Sequence, residues 1–218
     1  MNRAAALAAL AQASGRSPAA SVEDDPAAGM VRVIEPGRPP LELLEGDVFT
    51  TPGVWHFDDA PSVPPDAVPT WRGYLVRVDP GGRPEVIRLG ERVTLVEAWP
   101  RLAEWLSPFE LASLIGRYFG RDAGLAVHHT VIESRVDAER LLADPADLPD
   151  KVGPPRLSEP RAADGLATLS FFTTFVEPGD YGEPTVGLCY WKARWGPAVG
   201  VAWDSLVIGR HLRSRLAP

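Results

Sequence analysis

Residues 71–89 read WRGYLVRVDPGGRPEVIRL, two runs of strand-forming side chains on either side of a DPGG turn at 79–82. Proline presets φ for the second position of a tight turn, and glycine tolerates positive φ at the third position. The segment therefore predicts a β-hairpin with arms over 71–78 and 85–89, closed by a type II turn in which Gly81 has positive φ. Antiparallel strands are thus expected in the fold.

Residues 107–120, SPFELASLIGRYFG, carry the strongest helix signal in the chain. Ser107 is a preferred N-cap residue, Pro108 suits the first helical turn, and Glu110 lies where it completes a capping box. Gly120 marks the end of the predicted helix. Five apolar side chains between them have the spacing of one buried helical stripe, namely Leu111, Leu114, Ile115, Tyr118 and Phe119.

The C-terminal third predicts a β-meander with strands over 167–176, 185–195 and 198–203. The stretch 206–212 fits either a final strand or a basic helix. The chain has 23 prolines, and because each one removes a backbone donor, a large helical bundle is excluded. Strands and helices do not alternate regularly, which argues against a doubly wound parallel fold. We therefore predict an α+β fold, with a mainly antiparallel sheet of six to eight strands and two or three helices packed on one face.

The N-terminal part is predicted to lie outside the folded body. Residues 2–13 are rich in alanine and favour a helix, although that helix has little apolar surface. Residues 14–29 are small and polar, as in a flexible linker. The predicted organisation is an N-terminal helix and linker over 1–29, followed by a single α+β domain over 30–218.

Three less regular segments complete the outline. A helix is predicted from about Trp99 or Pro100, because proline is tolerated in the first turn of a helix. A shorter helix is predicted over 137–143, with Asp137 as its cap. Residues 144–165 contain five prolines and few apolar residues, and they are predicted to form a long surface loop.

The overall charge argues against a nucleic-acid-binding function. The formal net charge is −7 and the isoelectric point is about 5.1, whereas proteins that grip phosphate backbones are usually basic. The stretch from Lys192 to the end is an exception, with five basic residues against Asp204 alone. It could contact an anionic partner or form a solvated basic edge, and the second interpretation is favoured. The aromatic residues of the C-terminal sheet are likewise assigned to core packing rather than to base stacking.

Cys189 is the only cysteine, so the chain forms no internal disulfide. A lone thiol is typical of proteins in a reducing compartment, and a cytoplasmic location is predicted. No stretch approaches the roughly 20 apolar residues that a membrane-spanning helix needs, so no membrane association is predicted.

The segment LAVHHTVIE at 125–133 holds two catalytic candidates, His128 and His129. On a strand, His129 shares an apolar face with Val131, where burial favours a neutral imidazole that can act as a base or a ligand. The alternative, which is favoured, is a core histidine satisfied by a backbone carbonyl. Cys189 is the third candidate, and it would be a nucleophile if a histidine met it across the sheet. A buried structural thiol is the favoured alternative there.

His56 and Asp58 are the candidate metal ligands. At strand spacing the two side chains share one face with their Cα atoms about 6.6 Å apart, and Asp59 adds an oxygen donor. The favoured alternative is structural, since aspartate often caps the turn where a strand enters a loop. The common sequence motifs of zinc, nucleotide and serine hydrolase sites do not occur in the sequence, and no cofactor is predicted.

Two classes of function remain. The first is a binding or accessory protein that acts through protein–protein contacts, because the sequence has no catalytic signature and an acidic surface suits a basic protein partner. The second is a small hydrolase-like or metal-dependent enzyme whose site combines His129, His56 or Cys189 with a second titratable group. The first class is favoured, and the oligomeric state is left open.

Overall fold

A computed structural model describes residues 2–46, 49–59, 72–90, 92–120, 129–160, 165–178, 184–196 and 200–215. The chain divides into two compact units, Met1–Arg101 and Leu102–Pro218, called unit 1 and unit 2 below. Each unit contains an antiparallel sheet together with helix, which confirms the predicted α+β class. The described strands form two separate sheets, whereas the sequence predicted one.

Unit 1 is built on a six-stranded antiparallel sheet in which each strand pairs with the next one along the chain. Its elements are α1 (Arg3–Ala13), β1 (Ser21–Asp25), β2 (Met30–Ile34), β3 (Leu41–Glu45), β4 (Val54–Asp59), β5 (Arg72–Val78) and β6 (Pro84–Leu89). Apolar side chains recur at every second strand position, so they collect on one face of the sheet, against α1. This core consists of Ala6, Leu7, Leu10, Ala11, Val31, Val33, Leu43, Phe57, Val76 and Val78.

Polar contacts fix α1 to the sheet at both ends of the helix. Arg3 Nε lies 2.8 Å from Asp24 Oδ2, and Arg3 Nη1 lies 2.7 Å from Glu45 Oε1. At the other end Arg88 donates to the backbone carbonyl of Ala13, one of the acceptors that a helix leaves unpaired at its C-terminus. The predicted N-terminal helix is therefore present and docks within its own chain.

The flexible linker predicted over 14–29 is wrong for its second half. Residues Ser21–Asp25 form β1 and pair along their whole length with β2. Pairing with β2 satisfies the backbone hydrogen-bonding groups of this strand. Its acidic side chains are exposed to water. Composition alone cannot distinguish such an edge strand from a linker, and the folded part of unit 1 begins at α1 rather than at residue 30.

The hairpin predicted from 71–89 is present as β5 and β6. Its turn differs from the predicted type II turn, because Gly82 rather than Gly81 has positive φ, at 81°. The Gly82 N–H donates to the carbonyl of Asp79 at 2.9 Å. This arrangement is typical of a type I turn followed by a left-handed glycine, a common way to close a three-residue hairpin loop.

Helix α2 spans Arg92–Trp105 and so begins earlier than predicted. Pro100 lies inside the helix instead of in its first turn. Proline removes one helical hydrogen bond, and the burial of Leu95, Ala98 and Trp99 on this helix offsets that loss.

Unit 2 is built on a second antiparallel sheet with the strand order β11-β10-β9-β7, and β8 also pairs with β9. Its elements are α3 (Pro108–Phe119), β7 (Thr130–Val131), α4 (Arg135–Leu141), β8 (Arg156–Ser158), β9 (Ala167–Pro178), β10 (Pro184–Gly196) and β11 (Gly200–Arg213). Helix α3 has the predicted cap at Ser107 and the predicted capping box with Glu110. The stretch 206–212, for which strand and helix were both open, continues β11.

The two faces of the second sheet are covered by different elements. The cross-strand pairs Thr173–Cys189 and Phe171–Trp191 lie on the side called the α3 face. Gly116 of α3 packs there so closely that a Cβ would lie 3.5 Å from Thr173 Cγ2. The opposite side, called the α4 face, is covered in part by a cluster of Ile132, Ala138, Leu142, Leu148, Val152, Val186 and Leu188.

Two predictions in unit 2 need correction. Helix α4 begins at Arg135 and is capped by Ser134, which accepts the N–H of Asp137, so Asp137 is not the cap. The predicted surface loop over 144–165 contains a short 3-10 turn and strand β8, and two of its apolar side chains, Leu148 and Val152, are buried. Two well-placed apolar residues are enough to dock a proline-rich segment.

None of the described helices is both long enough and apolar enough to cross a bilayer.

Candidate functional site

His129 lies in the core of unit 2, on the α3 face, and is 5% exposed. Its Nδ1 is 2.8 Å from Thr173 Oγ1, and the indole N–H of Trp191 donates to the same hydroxyl oxygen at 2.9 Å. The imidazole also contacts the rings of Phe175 and Trp191, with centroid distances of 5.1 Å and 5.5 Å. The favoured interpretation as a core histidine agrees with this geometry, except that the partner of Nδ1 is a hydroxyl group rather than a backbone carbonyl.

The hydroxyl group of Thr173 connects the two aromatic side chains. Because its oxygen accepts the indole proton of Trp191, its own proton can be donated to Nδ1 of His129. This direction places the imidazole proton on Nε2 and makes a chain of bonds that strengthen one another in a dry interior. Such a chain holds the imidazole in one orientation.

Cys189 is the cross-strand neighbour of Thr173 on the same face. Cys189 and His129 thus lie on the same face, with Thr173 next to both. Yet Cys189 is fully buried, and this burial raises the pKa of its thiol to about 11. A nucleophilic cysteine needs the opposite shift, so the arrangement supports a structural thiol. His128 lies outside the described residues.

His56 and Asp58 lie on the face of the first sheet that points away from α1. His56 Nε2 is 3.3 Å from Asp58 Oδ1, and both side chains are only 1% exposed. The Phe49 ring lies 4.7 Å from the imidazole, and the backbone of Gly46 approaches so closely that a Cβ there would overlap Nδ1. The shared face predicted from the sequence is present.

Asp59, the third oxygen donor proposed for a metal, points to the other face of the strand, because neighbouring strand residues alternate. Burial raises the pKa of its carboxyl group. Within the described ranges no group of three histidine, cysteine, aspartate or glutamate side chains is placed to hold a metal ion. His56 and Asp58 thus form a close pair, and a metal bound between them stays a prediction.

Sequence reasoning missed a bulge near the end of β11. Arg210 and His211 lie opposite the single residue Gly187 of β10, and His211 has φ of 52°, a left-handed conformation that is uncommon outside glycine. Its N–H donates to Glu177 Oε1 at 2.7 Å, and Arg210 Nη1 lies 3.7 Å from Glu177 Oε2. The nearly buried carboxylate therefore holds the bulge. No local sequence signal marks it, because only the register of three strands brings these residues together.

Sequence reasoning also missed the part of the α4 face beside its buried apolar cluster, called the open face below, where the described side chains are partly or fully exposed. Its residues lie in two neighbouring rows that run across the strands. The first row, called the apolar row, consists of Phe172, Tyr190 and Leu206. The second row consists of Arg156, Ser170, Lys192 and Asp204, and Arg194 lies beyond it. Leu206, on the edge strand β11, is 62% exposed and lies next to the partly exposed ring of Tyr190. Alternation along β9 and β10 was visible in the sequence, but the rows depend on pairing across four strands.

Comparisons with known proteins give no further guide: no family model, no curated protein and no solved structure matches the chain.

Proposed function

We propose that this chain is a binding or accessory protein that acts through contacts with another protein. The observation that carries the proposal is the open face, where Leu206 projects from the sheet beside the partly exposed rings of Phe172 and Tyr190. A contiguous apolar patch left in water, here Leu206 of the edge strand β11 with two neighbouring rings, is typical of an interaction surface. Aromatic side chains are also common at the centres of such surfaces.

The chemistry of the buried candidates supports a binding function. The thiol of Cys189 is protonated at neutral pH, and His129 is held by the hydroxyl group of Thr173. His56 is engaged with Asp58, again in the interior. Catalysis would require these groups to reach a substrate, and their exposures of 5% or less oppose that. The leucine side chains of helix α1 are already buried against its own sheet, so they do not provide a surface for a partner.

The setting proposed for this activity is a reducing, cytoplasmic compartment. Its support is the single cysteine, which remains a free thiol in the interior.

Site-specific photo-cross-linking tests the proposal. A benzophenone side chain placed at position 206 in the full-length chain should give a discrete adduct with one other protein in cells of the source organism. The matched control is position 136 on α4, where Val136 is also an exposed apolar residue, at 54%. We expect no such adduct there, and the same adducts at both positions would contradict the proposal.

Thiol alkylation tests the enzyme alternative. Cys189 is the only cysteine, so iodoacetamide reports on it alone. At pH 7 a thiol with a pKa of about 11 is ionised to only about one part in 10,000, and we expect no labelling of the folded chain under conditions that label the unfolded chain. Rapid labelling of the folded chain would favour the enzyme.

A further inference from the structure

We propose that the open face binds an acidic segment of the partner protein, one in which carboxylate side chains flank an apolar side chain. This inference rests on the proposed function and adds the chemistry of the partner. Its basis is the juxtaposition of an apolar row with a row that holds two cations, Arg156 and Lys192, and one carboxylate, Asp204, on one sheet face.

The apolar row provides the anchor. Tyr190 is directly opposite Phe172 on one side and Leu206 on the other, and the rings of Phe172 and Tyr190 are 5.1 Å apart at their centroids. The row is thus continuous over three neighbouring strands. An apolar side chain of a partner that covers Leu206 would remove from water a surface that is now 62% exposed.

The second row lies one pleat away, about 6.6 Å along the strands. Arg156 and Lys192 lie on either side of Ser170 in the register, so two strand spacings, roughly 10 Å, separate their Cα atoms. Across the part of the chain that the structure describes, neither cation has a carboxylate partner. Arg194 differs, because it forms an ion pair with Asp204.

Charge complementarity identifies the occupant. The whole chain carries a formal charge of −7, yet the open face has three cations and one carboxylate. The Cα atoms of Arg156 and Lys192 are about 10 Å apart, so both cations are within reach of carboxylates two or four residues apart on one side of an extended segment, where side chains alternate and each residue advances about 3.3 Å. The apolar row beside them fits a side chain from the same segment. A nucleic acid is disfavoured, since two free cations do not outweigh the repulsion between a polyanion and an acidic protein.

Selection from a random peptide library against the immobilised full-length chain tests this inference. We expect enriched peptides with aspartate or glutamate on either side of an aromatic or aliphatic residue. Affinity of one enriched peptide is then measured by fluorescence polarisation with variants of the chain. Leu206→Asp and Lys192→Glu should each weaken binding at least about tenfold, whereas the control Val136→Asp should leave it unchanged. Raising NaCl to about 0.5 M should also weaken binding, because salt screens exposed charges.

Several outcomes would overturn the inference. These are no enrichment, enrichment of peptides without acidic residues, tighter binding of an oligothymidylate than of the peptide, and a dimer of the chain that Leu206→Asp dissociates. Acidic peptides that bind both variants as tightly as the unchanged chain would move the site to another surface. The proposed function would survive that last result, because it fails only if the cross-link at position 206 does.

Discussion

Cys189 illustrates how a single residue changes meaning when its neighbours are known. In the sequence it is a lone thiol with two histidines within reach of the same sheet. In the structure its cross-strand partner on β9 is Thr173, and the residue is fully buried. The sequence left open whether a histidine meets Cys189, and it could not predict that Thr173 engages His129, because this contact joins residues 44 positions apart.

The raised pKa of Cys189 predicts a loss of stability at alkaline pH. The unfolded thiol loses its proton near the ordinary value of 9.0, whereas the folded one keeps it until about pH 11. Between these values the unfolded state binds fewer protons, so the free energy of unfolding falls as pH rises, and below pH 9.0 this effect is absent. Melting temperatures measured across this range should fall more steeply for the unchanged chain than for Cys189→Ala. Parallel curves would contradict the prediction.

Replacing Thr173 with valine should destabilise unit 2 at nearly constant side-chain volume. The change removes the oxygen that accepts the Trp191 indole N–H and that pairs with His129 Nδ1. Both ring nitrogens then stay buried without this hydrogen bond. Each unsatisfied buried group costs about 1–3 kcal/mol, and the free energy of unfolding from urea titration measures the loss. The matched control is Thr174→Val on the next residue, whose hydroxyl group makes only a 3.5 Å contact with the carbonyl of Thr130. An equal loss of unfolding free energy in both variants would show that the hydrogen bonds of Thr173 do not stabilise unit 2 more than the weak contact of Thr174 does.

At the scale of elements, the sequence predicted best those parts whose signals are local. Helix α3 and the β5–β6 hairpin were found because caps, turn residues and periodicity lie within a few positions of one another. Strand β1 was missed because SVEDD has neither apolar alternation nor β-branched bulk beyond one valine, and only pairing with β2 makes it a strand. Strand β3 was missed as well, since its LELLE sequence fits a helix equally by propensity.

The capping box of α3 makes a prediction about this element. Ser107 Oγ accepts the N–H of Glu110, and the Glu110 carboxylate accepts the N–H of Ser107 at 2.7 Å. Ser107→Ala should lower the free energy of unfolding by about 1 kcal/mol. Ser113→Ala, inside the same helix, should instead raise it by a few tenths of a kcal/mol, because alanine has the higher helix propensity. Circular dichroism during denaturation measures both, and shifts in the same direction would refute the capping argument.

At the scale of the whole molecule, the division into two sheets was the feature that the sequence did not predict. Every strand of unit 1 pairs with its neighbour in the chain, but in unit 2 β7 pairs with β9, 44 positions away at Thr130 and Thr174, and not with β8. Local alternation determines that a segment is a strand and which residues share a face. It does not determine which sheet the strand joins, because that choice depends on contacts between distant residues.

Hydrogen exchange should rank the strands by their place in the sheets. Strand β10 has β9 on one side and β11 on the other for nearly its whole length, so the amides of Trp191 and Ala193 should exchange slowest among the measured strands. Strand β1 has a partner on one side only and mostly exposed side chains, so its amides should exchange far faster. Exchange followed by mass spectrometry resolves the two, and similar protection would contradict the ranking.

The bulge at Arg210 and His211 has a consequence for how copies of this protein meet in concentrated solution. Strand β11 is a sheet edge of 14 residues, long enough to template the addition of foreign strands and start aggregation. The bulge bends the C-terminal part of that edge, and residues 213–215 are already bonded to 141–143. A flat, amyloid-like stack therefore has only the first half of the strand available. Because Glu177 holds the bulge, we expect its replacement to lengthen the edge that is available for pairing and to favour self-association.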